Sequence, residues 1–302
     1  RPNPGVGALV VAEGRVIARG WTQAGGRPHA EAAALADLSP QALANATLYV
    51  TLEPCAHASQ RGPACADLIV AAGPARVVIG QLDPDPRTAG AGLARLQAAG
   101  IETRLLDDAA SAVSLAGFLT RQRRSRPWVT LKLASSLDGC IALADGTSQW
   151  ITGDTARAHV HARRARHDAI LVGGTTWRAD NPRLDVRLPG LEARSPQRVV
   201  LTRGQAPAAD VTAIPSPQAI ASLDGVLYLY VEGGAEAAAA FIAADLVDEL
   251  HLYTAPILIG DGRRSLGALG LASLSDAHGR WHIHDRRQLG SDQFIAYLRC
   301  RD

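Results

Sequence analysis

The chain has 302 residues, 47% of them hydrophobic, and its 31 Lys plus Arg against 29 Asp plus Glu leave a net charge of +2. That length supports a buried core in roughly two domains, and the near-neutral balance argues against a nucleic acid or an acidic membrane as partner. No apolar run approaches the ~18 residues a membrane span needs, and the opening RPNPGVG lacks a charged-then-apolar secretion signal; a small-molecule partner and a cytoplasmic setting are expected.

Residues 7–20, GALVVAEGRVIARG, place two β-prone runs around Glu13-Gly14 and predict a hairpin. A helix is expected from about His29, then a buried strand over 47–55 ending at Pro54, a helix over 63–73 stopped by Gly73, and a strand over 76–81. Helix 92–100 and strand 101–106 complete a first set, and such alternation argues for a parallel or mixed sheet covered by helices. A modestly apolar helix and the basic run RQRRSRP follow; a solvated helix end is the favoured reading of that run over a nucleic-acid patch. The domain junction is placed there, giving a first domain over 1–108, a linker helix over 109–126 and a second domain over 127–302. In the second, strands are expected over 128–134, 169–174, 198–202, 227–232 and 248–260. Helices are expected over 155–166 and 235–244, and a hairpin over 281–299. The halves show no internal repeat. The start at Arg1 and the lack of methionine suggest a piece of a longer chain.

The four cysteines, Cys55, Cys65, Cys140 and Cys300, are too few for a disulfide scaffold at this length. Two of them fit a metal. In RPHAEAAAL, His29 and Glu31 stand two apart at a helix start, where their side chains diverge by about 200° and so take different jobs. In EPCAHASQRGPAC, Cys55 and Cys65 flank a polar loop. One imidazole and two thiolates suit a tetrahedral Zn2+ with its fourth position open to water, which makes a catalytic site. Glu31 is then the group that takes a proton from water and hands it to a leaving amine. H-x-E followed by P-C and a second cysteine is the pattern of zinc nucleobase deaminases, here stretched to C-x9-C. A structural zinc with His57 as fourth ligand stays open, as does the bland reading of a polar cap and two unrelated cysteines.

Taken in order, RPNPGVGALVV, HAEAAAL, TLEPCAH, RGPACADLI, DPDP, KLASSLDG, SQWITG, ADNPRLDVR and VEGGA resemble the bifunctional deaminase/reductase family of riboflavin biosynthesis, across nearly the whole chain. The resemblance implies an α/β architecture: a cytidine-deaminase-like α/β/α domain followed by a dihydrofolate-reductase-like α/β/α domain. It implies His29, Cys55 and Cys65 as zinc ligands, Glu31 as proton shuttle, and Asn3 and His57 as pyrimidine contacts. Deamination of 2,5-diamino-6-(5-phosphoribosylamino)pyrimidin-4-one would be followed by NADPH-dependent reduction of the ribose of 5-amino-6-(5-phosphoribosylamino)uracil. NADPH contacts would fall at Ala134, Trp150, Thr176, Asp180, Arg203, Gly233, Gly234 and Ala235. Substrate contacts would fall at Ser148, Arg164, Leu184, Arg187 and Glu232. A homo-oligomer is also implied.

The residues carry physical reasons of their own. Gly233-Gly234 before a helix lets backbone N–H groups approach a pyrophosphate, although such a pair alone is more often a turn and no G-x-G-x-x-G is present. Arginine forks suit a sugar phosphate, and Arg203 after a strand could select the 2′-phosphate of NADPH. Lys132 and Asp138 are expected to touch ligand or to pair with each other. A rival reading is a tRNA base deaminase with an RNA-binding second domain. It predicts a basic, aromatic-bearing face, against an aromatic content of 4%.

Overall fold

A computed structural model of the chain describes residues 3–57 and 62–301. The chain divides into two compact units, Arg1–Ser125 and Arg126–Asp302. Within the first, the elements are β1 (Gly7–Ala12), β2 (Arg15–Trp21), α1 (Ala30–Leu35), α2 (Pro40–Leu43), β3 (Thr47–Leu52) and α3 (Cys65–Ala72). They continue with β4 (Arg76–Gln81), α4 (Ala91–Ala98), β5 (Glu102–Leu105), α5 (Ala109–Ser114) and α6 (Ala116–Arg124). The expected hairpin forms with Glu13 and Gly14 both at positive φ in its turn, and Gly73 ends α3 in the left-handed region at φ 64.

The first sheet has the order β2-β1-β3-β4-β5. Its hairpin side is antiparallel, and β3, β4 and β5 are parallel. Val10, Leu48, Val50, Val77 and Ile79 are buried along these strands, with Ala30 and Ala34 of α1 and Ile69 of α3 in the same core. One glycine sets the seat of α1. A methyl on Gly20 would lie 2.1 Å from the Ala30 carbonyl oxygen and 2.5 Å from the Ala34 nitrogen, so β2 and α1 meet backbone to backbone. Gly20→Ala is therefore expected to destabilise the first unit by about 1–3 kcal/mol and to cut ammonia release by displacing the helix that carries Glu31. Urea unfolding alongside a deaminase assay checks both; an unchanged midpoint would mean that the contact yields without strain.

The second unit contains β6 (Trp128–Ser135), β7 (Cys140–Ala142), α7 (Asp154–Arg164), β8 (Ala169–Gly173), α8 (Gly174–Asp180), β9 (Gln197–Leu201) and β10 (Val211–Ile214). They are followed by β11 (Tyr228–Val231), α9 (Ala235–Ala243), β12 (Glu249–Thr254), β13 (Arg263–Arg264), β14 (Trp281–Leu289) and β15 (Asp292–Arg299). Its sheet has eight strands in the order β10-β9-β8-β11-β6-β12-β15-β14, parallel from β10 to β12 and antiparallel at the closing hairpin. Alternate residues serve opposite faces. Leu229 and Val231 of β11 pack with Ala238 and Phe241 of α9, whereas Tyr230 packs with Ala156 and Val160 of α7. The result is a helix–sheet–helix sandwich.

Three expectations change. The stretch 109–126 forms two helices, α5 and α6, which group with the first unit; the Asp108 carboxylate accepts the Ser111 N–H at 2.8 Å and so starts α5 afresh. The strand expected over 248–260 stops at Thr254, whose partner Ser135 is the last residue of β6; the Ala255 N–H donates once more to Ser135 at 2.9 Å, and Pro256 has no N–H with which to carry the ladder on. Arg126, read as part of a solvated basic run, is buried and forks onto Asp248 at 2.6 and 2.9 Å. β10, α8 and the small β7–β13 ribbon had no expectation at all.

Candidate active sites

In the first unit, two loops deliver the metal donors. His29 precedes α1 and does not cap it; its Nδ1 lies 3.3 Å from Cys65 Sγ and 3.6 Å from Cys55 Sγ. All three donor atoms lie within 4.8 Å of one another. Tetrahedral zinc with bonds of about 2.3 Å to sulfur and 2.0 Å to nitrogen would set its donors about 3.5–3.8 Å apart, so the residues fit the metal. Cys65 opens α3, and its N–H donates to Cys55 Sγ at 3.3 Å. A hydrogen bond from the Cys65 side chain, outweighing burial, draws the Cys55 thiol down to about 4.

Glu31 lies in the first turn of α1, 3% exposed. Burial pushes its carboxyl up to about 7, which suits a group that both accepts and releases protons near neutrality. His57, the candidate fourth ligand, instead places Nδ1 3.4 Å from Thr88 Oγ1. Among the described residues no fourth protein donor joins the three. The Asn3 side chain lies against Gly26, where a methyl would approach its Cγ to 2.5 Å.

Two acids in this unit had no assigned role. The buried Glu53 carboxylate accepts N–H groups of Asp83, Gly90 and Leu93 at 3.2, 3.0 and 3.0 Å, and thereby ties the start of α4 to the Pro54–Cys55 turn. Asp83 is raised to about 6, mainly by burial. Their signals were in view, as the E of EPC and the first D of DPDP.

In the second unit, a cavity of about 1120 Å³ opens where β6, β8 and β11 end. That exceeds the ~300–1,000 Å³ of an ordinary one-ligand pocket and leaves room for a cofactor beside a substrate. Two adjacent parallel strands run into the same device: β8 reaches Gly173-Gly174 and α8, and β11 reaches Gly233-Gly234 and α9. A methyl on Gly233 would meet Ala237 Cβ at 2.7 Å, and one on Gly234 would meet Thr176 Oγ1 at 3.1 Å. The glycines thus bring both helix starts to the cavity wall. The pattern GGTTW was the missed signal for α8.

The cavity wall includes Ala134, Ser148, Trp150, Thr176, Asp180 and Arg203, together with Arg164, Arg187, Glu232, Gly233, Gly234 and Ala235. Leu184 lies outside it. That side chain is 4% exposed, packed in the core with Tyr230 and Phe294 at a positive φ of 55. Arg164 is committed: Nε and Nη2 donate to Glu232 at 2.6 and 2.9 Å, and Nη1 donates to the Asp185 carbonyl at 2.9 Å. Lys132 Nζ stands 3.9 Å from Glu232, and burial lowers its pKa. Burial alone would raise the Glu232 pKa, but Arg164 and Lys132 outweigh it, and the carboxyl is held below its ordinary range. Lys132 and Asp138 do not pair. Asp138 accepts the Gly260 N–H at 2.7 Å and holds the loop after β12.

A zinc-donor set beside a buried glutamate, in one chain with a doubly wound sheet whose glycine-lined cavity has room for a nucleotide and a second ligand, fits a deaminase joined to a reductase. Comparison with known proteins agrees at both ends. Residues 1–81 match the model of the cytidine and deoxycytidylate deaminase zinc-binding region, and residues 127–292 match the RibD C-terminal domain. The riboflavin biosynthesis protein RibD of Haemophilus influenzae is 38% identical over 98% of this chain and 91% of its own length, and that of Escherichia coli 37% identical over 96% and 92%. Among solved structures, Acinetobacter baumannii RibD superposes with a TM-score of 0.85 at 34% identity, covering 100% of this chain and 94% of that one. The Thermotoga maritima diaminohydroxyphosphoribosylaminopyrimidine deaminase/5-amino-6-(5-phosphoribosylamino)uracil reductase gives a TM-score of 0.85 at 32% identity, covering 99% and 93%.

The chain belongs to the RibD family of riboflavin biosynthesis proteins. It is a bifunctional enzyme, a zinc-dependent deaminase followed by an NADPH-dependent reductase, with the cytidine-deaminase-like and dihydrofolate-reductase-like folds in that order.

Proposed function

We propose that the first unit removes the 2-amino group of 2,5-diamino-6-(5-phosphoribosylamino)pyrimidin-4-one, and that the second reduces the ribose of 5-amino-6-(5-phosphoribosylamino)uracil to a ribityl chain. The observation that carries the reading is the convergence of His29, Cys55 and Cys65 beside the buried Glu31. Zinc held by those three residues supplies a Lewis acid that makes water nucleophilic, and NADPH supplies a hydride. Glu31 takes the proton that water gives up and delivers it to the departing ammonia. Asn3 and His57 hold the pyrimidine. In the second unit, Gly233, Gly234 and Ala235 present backbone N–H groups to the cofactor pyrophosphate, flanked by Ala134, Trp150, Thr176, Asp180 and Arg203. Ser148 and Glu232 position the sugar, and Leu184, buried outside the cavity, takes no part.

The committed Arg164 balances Glu232, so the substrate phosphate falls mainly to Arg187, whose side chain is half exposed. Residues 109–126 join the working domains. The enzyme acts in the cytoplasm as a homo-oligomer without nucleic acid; the free thiols of Cys140 and Cys300 fit a reducing compartment, and no helix among the described residues is long and apolar enough to cross a membrane.

The test follows ammonia and NADPH consumption separately, with each half's substrate supplied. Removing metal with a chelator is expected to abolish ammonia release, to spare reduction of the supplied uracil, and to be reversed by zinc. Persistence of deamination in metal-free protein would end the zinc assignment.

A further inference from the structure

The cavity of the second unit is rich in arginine, and most of that charge is already spoken for. Arg164 is locked to Glu232, Arg157 to Asp154 and the face of Trp150, and Arg264 to the Asp138 carbonyl. Arg187, assigned above to the substrate phosphate, faces Asp185 and His161. Among the described residues, three further arginines that line the same cavity have no ion-pair partner: Arg263, whose guanidinium lies against Gly146, and Arg178 and Arg203.

The last two come from different elements, Arg178 from α8 and Arg203 from the turn after β9, and Gly174 shows that they are neighbours. A methyl at Gly174 would lie 3.2 Å from Arg178 Nη1, 3.4 Å from the Leu201 carbonyl oxygen and 3.4 Å from Thr202 Cβ. The Arg178 guanidinium, which donates to Thr175 Oγ1 at 3.5 Å, and the Leu201–Thr202 strand end that leads to Arg203 therefore converge on the same glycine. Arg198, the other arginine near α8, is held by Asp210 and lies over Trp177.

Position along the sheet says which part of a dinucleotide these cations meet. The pyrophosphate-binding glycines follow β11, α8 follows β8, and Arg203 follows β9, in the spatial order β11-β8-β9. At about 4.8 Å per strand, Arg203 stands about 10 Å from the pyrophosphate, roughly a nucleoside away, with α8 and its Arg178 on the intervening strand end. A doubly charged phosphate with three acceptor oxygens satisfies two guanidinium forks, which a ribose hydroxyl does not.

We infer that Arg178 closes, together with Arg203, on the adenosine 2′-phosphate of NADPH and is a determinant of the preference for NADPH over NADH. The inference rests on the cofactor site proposed above. Asp180 also lines the cavity, and one carboxylate against two guanidiniums leaves the local charge positive.

The experiment compares the full-length enzyme with Arg178→Gln and Arg178→Lys, using the uracil substrate with NADPH or NADH, and 2′,5′-ADP or 5′-ADP as inhibitors. Arg178→Gln is expected to raise KM for NADPH and to weaken 2′,5′-ADP inhibition by about 10–100-fold, the loss of one charge-assisted contact. Constants for NADH, inhibition by 5′-ADP and kcat should stay within about 3-fold, and lysine should recover part of the loss. If the NADPH and NADH constants fall together, or neither changes, Arg178 has no such role. If even the unmodified enzyme is inhibited by neither nucleotide, the cofactor site itself is misplaced.

Discussion

Glu31→Gln is expected to lower ammonia release by about 10²–10⁴-fold, the usual contribution of a positioned general acid–base group, while bound zinc and NADPH-dependent reduction of supplied uracil persist. Glutamine keeps the size and most of the polarity of the side chain but cannot carry the proton. The site gives it little else to do. Glu31 is buried, its burial raises the carboxyl to about 7, and the three metal donors are other residues. The informative comparison is Cys65→Ser, which removes a donor: metal content should fall together with deamination, whereas Glu31→Gln should separate the two. Parallel loss of ammonia release and reduction in Glu31→Gln would contradict the division of labour between the units.

Glu232→Ala is expected to destabilise the second unit by about 3–5 kcal/mol, because it strands the Arg164 guanidinium, and with it Lys132, in the interior. Both ion pairs end on this one carboxylate, at 2.6 Å from Arg164 and 3.9 Å from Lys132. Urea unfolding measures the loss. Adding Arg164→Leu should return part of it, since removing both partners leaves a smaller uncompensated charge than removing one. A single substitution costing under about 1 kcal/mol would show that water reaches the cluster and screens it. The same variant, kept folded at low temperature, should lose NADPH oxidation while retaining ammonia release.

Much of this was legible in the residues alone. The hairpin around Glu13-Gly14, the stop at Gly73 and the strand over 76–81 follow from local rules, since each depends on backbone preferences within a few residues. The metal donors were legible for a different reason: few side chains bind zinc, so His29, Cys55 and Cys65 name themselves by type and order. Other features depended on neighbours distant in sequence. The end of β12 was set by the end of β6, and the burial of Arg126 by Asp248, 122 positions away. The α8 helix went unseen because GGTTW is a turn or a helix start according to what packs on it.

By itself, the sequence determined the order of two α/β halves and the chemical identity of the zinc donors, because periodicity and ligand type are local properties. Only the tertiary structure decided which charges are free. Arg164 is neutralised by a carboxylate 68 residues away, and Arg178 and the strand end before Arg203 both close in on Gly174. Charge pairing is a matter of distances in space, and residue spacing along a chain does not fix those.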